Sequence, residues 1–245
     1  MNSPIFLPLV LALAGPFVGS LLGVLVMRLP EGRPVVIGRS ACDECHRPLG
    51  PLDMVPLVSY AALRGRCRYC GARIAPIHPL IEMAALGVVV WAATATTGST
   101  LIASCVYGWL LLALALTDLR SGVLPIALTL PLAAFGLIAA WEIAPLALWD
   151  HVEGMIAGFA FGAVIAVAYK LLRGGELRLQ EAALLGAIGA WIAWQKLAYV
   201  MVLAAFVPAA ALIGTRSKLP ITMRNVLGAA LALSGWLVWL HGAAF

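Results

Sequence analysis

Long apolar blocks alternate with short polar breaks along most of this chain. They fall at about 5–27, 79–97, 100–117, 123–143, 152–172, 182–195, 197–214 and 224–243. A helix needs about 20 predominantly apolar residues to cross the hydrocarbon of a bilayer, so the pattern predicts about eight transmembrane helices. The sixth block is short, and only Gln195-Lys196 parts it from the seventh. One polar stretch is much longer than the others, roughly residues 28–78 between the first and second blocks. The expected fold is therefore an all-α polytopic membrane protein with a small insert between helices 1 and 2. This divides the chain into a first helix (1–27), an insert (28–78) and a helical bundle (79–245).

Composition agrees with that pattern. Hydrophobic residues make up 63% of the 245, charged residues only 11%, and mean hydropathy is +1.01, which excludes a soluble domain that hides its apolar side chains inside. No low-complexity tract or internal repeat stands out, so an inverted-repeat transporter gains no support. Residues 1–26 carry no basic n-region and run directly into Arg28, so the first block is expected to remain as an anchor.

Charge sets the expected orientation. With the N-terminus outside, 15 of the 16 Lys and Arg residues fall on inner loops, and only Lys196 falls outside. The stretch holding Glu142, Asp150 and Glu153 has no Lys or Arg and lies outside under the same assignment. This satisfies the positive-inside rule, and the opposite orientation breaks it nearly everywhere. The 28–78 insert is then cytoplasmic. The net charge of +5 follows from topology and calls for no nucleic-acid partner, although the insert's arginines are placed to meet anionic lipid headgroups.

Within the insert lie two CxxC knuckles, Cys42-Asp-Glu-Cys45 and Cys67-Arg-Tyr-Cys70, with 21 residues between them. Such spacing lets four thiolates close tetrahedrally around Zn²⁺, a zinc-ribbon-like arrangement. A pair of disulfides would need an oxidising compartment, whereas a cytoplasmic loop stays reduced and favours thiolates on a structural zinc. Cys105, inside an apolar block, reads as a small hydrophobe.

Three acids sit within or at the edge of apolar blocks, where an ionisable group is costly and is by default a functional candidate: Glu82, Asp118 and Glu181. Glu82 and Glu181 fall near helix starts, where the dipole favours an anion, whereas Asp118 ends its block, where the dipole disfavours one. All three are expected at the cytoplasmic face. The glycines Gly154, Gly158 and Gly162, four residues apart, read as a helix-packing stripe, and Trp91, Trp109, Trp141, Trp149 and Trp236 as span or interface residues.

In order and spacing these features resemble the type IV prepilin peptidases, integral-membrane aspartic proteases of the GxGD type. Gly19-Ser20 with Arg28-Leu29-Pro30 is similar to the family's opening run, and the double CxxC with Pro56-Leu57-Val58-Ser59-Tyr60 and Pro79-Leu80-Ile81-Glu82 is similar to its cytoplasmic domain. Thr117-Asp118-Leu119-Arg120, followed by Leu124-Pro125 and Leu128-Thr129-Leu130-Pro131-Leu132, resembles the first catalytic aspartate motif. Leu184-Leu185-Gly186-Ala187-Ile188-Gly189-Ala190-Trp191 resembles the run that follows the second. Counting back from that run, the second aspartate falls on Glu181, the motif's glycines on Gln180 and Arg178, and its lysine on Ala183. A displaced register would use Gly174-Gly175-Glu176 instead. Ile126 and Gly23 stand where the family carries an aspartate and an asparagine.

The resemblance implies a bifunctional enzyme of the bacterial inner membrane, with the N-terminus periplasmic. Asp118 and Glu181 would cut the basic leader of a type IV prepilin or type II secretion pseudopilin at the cytoplasmic face. The 28–78 loop with Glu82 would then methylate the new N-terminus from S-adenosylmethionine. Two other readings follow from the residues: a non-proteolytic relative that keeps methyltransferase or pilin-binding function, and a transporter that uses the three acids as a relay. A relay would place charges at several depths, and here they share one face.

Overall fold

The computed structural model describes residues 5–35, 40–173, 179–214 and 226–242; Gly174, Gly175, Glu176 and Arg178 lie outside them. All eight apolar blocks are helical: α1 (Phe6–Arg28), α3 (Ile77–Ala95), α4 (Gly98–Ser121), α5 (Ile126–Ile143), α6 (Leu148–Arg173), α7 (Gln180–Ile192), α8 (Leu197–Gly214) and α9 (Leu227–His241). A short α2 (Val58–Ala62) lies in the insert, and the described residues form no strand beyond isolated bridges. Apart from α2, these helices are predominantly apolar, with their charged residues mostly near the ends, as expected where the backbone must satisfy its own hydrogen bonds away from water.

By length and composition, five helical stretches are able to cross a membrane: α1, α3, α4, α5 and Pro145–Leu172. The sixth and seventh blocks behave differently from two straight spans. α7 and the segment from Trp194 to Phe206 meet at 117° and count as a sixth crossing if taken as one broken span. The bend sits at Ala193, whose φ of 62° takes the chain out of the helical region, and a single 3₁₀ turn at Trp194–Lys196 follows. α9 has 15 residues, fewer than a straight crossing needs.

The chain divides into two compact units, Met1–Thr94 and Ala95–Phe245. In the first, α1 lies against α3 through glycine. A Cβ on Gly19 would lie 2.6 Å from the Glu82 Cα, and one on Gly15 would lie 3.2 Å from the Leu86 Cα. Without a hydrophobic driving force in lipid, such backbone approach is what helices gain from small residues.

In the second unit the glycine stripe of α6 does what its spacing predicts. Cβ atoms on Gly154 and Gly158 would each lie 2.6 Å from a carbonyl oxygen of α7, that of Gly189 and that of Leu185, and one on Gly162 would lie 2.6 Å from the Ala182 Cα. α7 is consequently buried along nearly its whole length. Its Trp191 donates Nε1–H to the Leu132 carbonyl of α5 at 2.7 Å and stacks on Tyr107 of α4 with ring centroids 4.5 Å apart. Trp236 and Trp239 of α9 close the same aromatic cluster, and Trp239 donates to the Ser104 hydroxyl at 2.8 Å. Trp236 is thus core, whereas Trp141 and Trp149 are exposed, as belt residues are.

Candidate functional site

The two CxxC knuckles are built alike. In each, the amide of the first cysteine donates to the carbonyl five residues on (Cys42 to Arg47, 3.0 Å; Cys67 to Ala72, 2.8 Å). The amide four residues on returns the bond (His46 to Cys42, 2.9 Å; Gly71 to Cys67, 3.0 Å). An outer bond flanks each turn (Leu49 to Ser40 and Ile74 to Gly65, both 2.8 Å), and antiparallel bridges pair Ala41 with Pro48 and Arg66 with Arg73. The insert thus contains a structural repeat that the sequence reading passed over, because apart from the cysteines the two copies share almost no residue types. The residue after each second cysteine has positive φ, 56° at His46 and 73° at Gly71, which turns the chain back so that both sulfurs face one point.

The four sulfurs of Cys42, Cys45, Cys67 and Cys70 all lie within 4.8 Å of one another, with Cys42 and Cys70 3.9 Å apart. Sulfurs at 2.3 Å from a tetrahedral zinc are about 3.8 Å from each other, so the cluster has the size of a metal site. The backbone amides of Cys70 and Tyr69 pull the Cys67 thiol down to about 7. The Ala72 amide also favours the Cys70 thiolate, but burial and the facing sulfurs of Cys45, Cys67 and Cys42 push that thiol up to about 12. Sulfurs this close oppose one another's ionisation, and a cation between them reverses that. A 2.7 Å ion pair from Arg68 Nε to Asp53 ties the second knuckle to the Pro51–Met54 turn, and the guanidinium holds the Asp53 carboxyl below its ordinary value. Cys105, buried in α4, is not one of the cluster.

Glu82 is buried in the first unit, and its Oε2 accepts the Leu57 amide at 2.7 Å. Leu57 has φ of 59° and ψ of −45°, the strained centre of a γ-turn closed by the Val58 amide on the Pro56 carbonyl at 2.6 Å, a conformation that costs about 1–3 kcal/mol. The Ser20 side chain also bonds to the carboxylate, so Glu82 joins α1, α3 and the Pro56–Val58 turn.

Asp118 lies in the last turn of α4 and is fully buried. Gly122, with φ of 66°, ends the helix and donates its amide to the Asp118 carbonyl at 2.7 Å. The Asp118 Oδ2 accepts the Ala229 amide at 3.0 Å, and a Cβ on Gly228 would lie 2.7 Å from that oxygen. The unfavourable α4 terminus is thereby offset by the first turn of α9, whose free N–H groups suit an anion. Arg120, two residues further along α4, is exposed.

Glu181 is the second residue of α7. Beside it, Gln180 accepts the Leu124 amide on Oε1 at 3.1 Å and donates Nε2–H to the Gly122 carbonyl at 3.1 Å and to Glu181 Oε1 at 3.3 Å. The segment leaving the Asp118 helix is thus joined to Glu181 through one side chain. Gln180 in this role, Gly228 and Ala229 were not identified from the sequence. Gln180 registered only as a displaced glycine, and Leu-Gly-Ala-Ala at 227–230 looks like any apolar helix start.

A multi-pass helical membrane protein, with one thiol cluster able to hold a metal ion and a buried carboxylate braced against a helix N-terminus, is the class that fold and site define. A family described as the Bacterial Peptidase A24 N-terminal domain matches residues 13–96, and the Type IV leader peptidase family matches residues 105–214. The chain is 37% identical over 217 residues to a protein of Aeromonas salmonicida named prepilin leader peptidase/N-methyltransferase, covering 85% of this chain and 73% of that one. Proteins of the same name from Klebsiella pneumoniae (35% over 202 residues, 79% and 89% covered) and Pseudomonas aeruginosa (32% over 277 residues, 98% and 92% covered) are similarly related. The chain belongs to the type IV leader peptidase family. No solved structure matches it.

Proposed function

We propose that this protein cleaves the leader of type IV prepilins or type II secretion pseudopilins and methylates the new N-terminus, with Asp118 and Glu181 as the carboxylate pair of the peptidase. The observation that carries the reading is the joining of Glu181 to the segment that leaves the Asp118 helix, through Gln180, in a chain related over most of its length to proteins named for both activities. Two carboxylates sharing a water do not both ionise easily. One keeps a proton and polarises the scissile carbonyl, while the other takes the proton of the attacking water. Glu181 is one methylene longer than aspartate and stands in the first turn of α7, the helix against which the glycines of α6 pack.

The protein sits in the bacterial inner membrane, with the 28–78 insert and the carboxylates on the cytoplasmic side, where the basic leader of such a substrate lies. Zn²⁺ held by Cys42, Cys45, Cys67 and Cys70 would supply structure rather than chemistry, since four protein ligands leave no open position. S-adenosylmethionine would supply the methyl group for the second activity. Glu82, the buried acid of the first unit, offers a negative charge suited to that cofactor's positive centre, and Leu57 and Ser20 orient it.

The test is leader cleavage of a prepilin by the full-length protein in bilayers, comparing wild type with Asp118→Ala, Glu181→Ala and Glu181→Asp. Cleavage lost in both alanine variants and kept with aspartate supports an Asp/Glu peptidase. A wild type that leaves the leader intact, or Glu181→Ala that cleaves at the wild-type rate, overturns it.

A further inference from the structure

We infer that Gln180 is a positioning residue of the peptidase site, an amide clamp that sets the Glu181 carboxylate relative to the Asp118 helix end. The inference rests on the Asp118/Glu181 reading above. A glutamine amide has one oxygen and two N–H donors, and here all three are engaged across the site: Oε1 with Leu124 N, and Nε2 with the Gly122 carbonyl and Glu181 Oε1. The first two contacts reach residues 56 and 58 positions away and seize both ends of the three-residue link between Asp118's helix and Pro125. Gly122 is itself bonded to the Asp118 carbonyl, so the clamp acts one hydrogen bond from the aspartate's own backbone. The third contact fixes which Glu181 oxygen faces the link.

A carboxylate on a side chain with three rotatable bonds needs such a constraint more than aspartate does, because each extra torsion multiplies the orientations from which a reactive one must be selected. A glycine at 180 would make none of these contacts. The extended Glu181 and the hydrogen-bonding Gln180 therefore form one unit in this chain. Glutamine's nearest analogues in shape or chemistry do not reproduce the clamp. Asparagine falls short by one methylene, glutamate accepts from Leu124 but cannot donate to Gly122 or Glu181, and methionine keeps the shape without any of the bonds.

The experiment is leader cleavage by the full-length protein in bilayers, measuring kcat and KM for Gln180→Met and Gln180→Glu in the wild-type and Glu181→Asp backgrounds. With Glu181 present, both substitutions are expected to lower kcat about tenfold with KM within about twofold, the signature of a lost constraint on reacting groups. In the Glu181→Asp background the shorter carboxylate is out of reach of the amide, so Gln180→Met is expected to change kcat by less than about twofold. An equal loss in both backgrounds would make Gln180 a general brace of the fold and overturn the inference, as would wild-type kcat in Gln180→Met. If Glu181→Ala cleaves like wild type, the carboxylate reading itself falls, an outcome distinct from a silent Gln180 beside an essential Glu181.

Discussion

The carboxylate of Asp118 accepts the backbone amide of Ala229 at 3.0 Å across the second unit, from residues 111 positions apart in the chain. The contact is possible because residue 228 has no side chain: a Cβ there would lie 2.7 Å from the same oxygen and 3.1 Å from Leu124 Cδ1. Gly228→Ala should improve the intrinsic helix propensity of α9 by about 1 kcal/mol. It should also displace the carboxylate and lower leader cleavage by about tenfold or more. Cleavage kinetics alongside thermal unfolding separate the two effects, and unchanged kcat would mean that the contact does not matter to the chemistry.

The thiol cluster predicts one bound zinc per chain in protein purified under reducing conditions, read by elemental mass spectrometry. Cys42→Ser should abolish most of it, because a structural site with three thiolates loses both charge and closure. Full alkylation of four thiols without any metal release, or two disulfides in freshly isolated protein, would contradict the site.

His46 and Gly71 occupy equivalent places in the two knuckles, both left-handed, but only one is glycine. His46→Gly should relieve strain of about 1 kcal/mol and tighten zinc about fivefold. Gly71→Val should weaken zinc by more than that, since a β-branched residue resists positive φ. Zinc competition with a chromophoric chelator measures both. Equal affinities in all three proteins would show that the turns are not under conformational strain.

Gly158 meets the Leu185 carbonyl of α7 so closely that an added Cβ would lie 2.6 Å from it, while Gly87 on α3 has nothing within 4 Å. Gly158→Leu is expected to cost about 1–3 kcal/mol through overpacking and to lower the unfolding temperature in detergent. Gly87→Ala is expected to be close to neutral. A Gly158→Leu protein that unfolds at the wild-type temperature would mean that α6 and α7 separate at no cost.

Local chemistry made much of this protein legible from its residues alone. Blocks of apolar residues specify helices wherever water is absent, because the backbone has no other way to satisfy itself. CxxC spacing specifies a knuckle because both sulfurs come from one turn, and glycine every fourth residue marks one face of a helix. Asp118 and Glu181 stood out because an acid in an apolar block is costly. What holds those acids depended on tertiary structure: the Ala229 amide, the absent Cβ of Gly228, the Gln180 clamp and the Leu57 turn under Glu82. Apart from the bond between Gln180 and its neighbour Glu181, these contacts join residues with no periodic relation, through a backbone atom that every residue type carries, so composition and spacing leave no trace of them. The bend at Ala193 was hidden for the same reason. An alanine is ordinary helix by propensity, and its positive φ goes with a tertiary contact, the close approach of the Gly189, Ala193 and Trp194 backbone to Gly154.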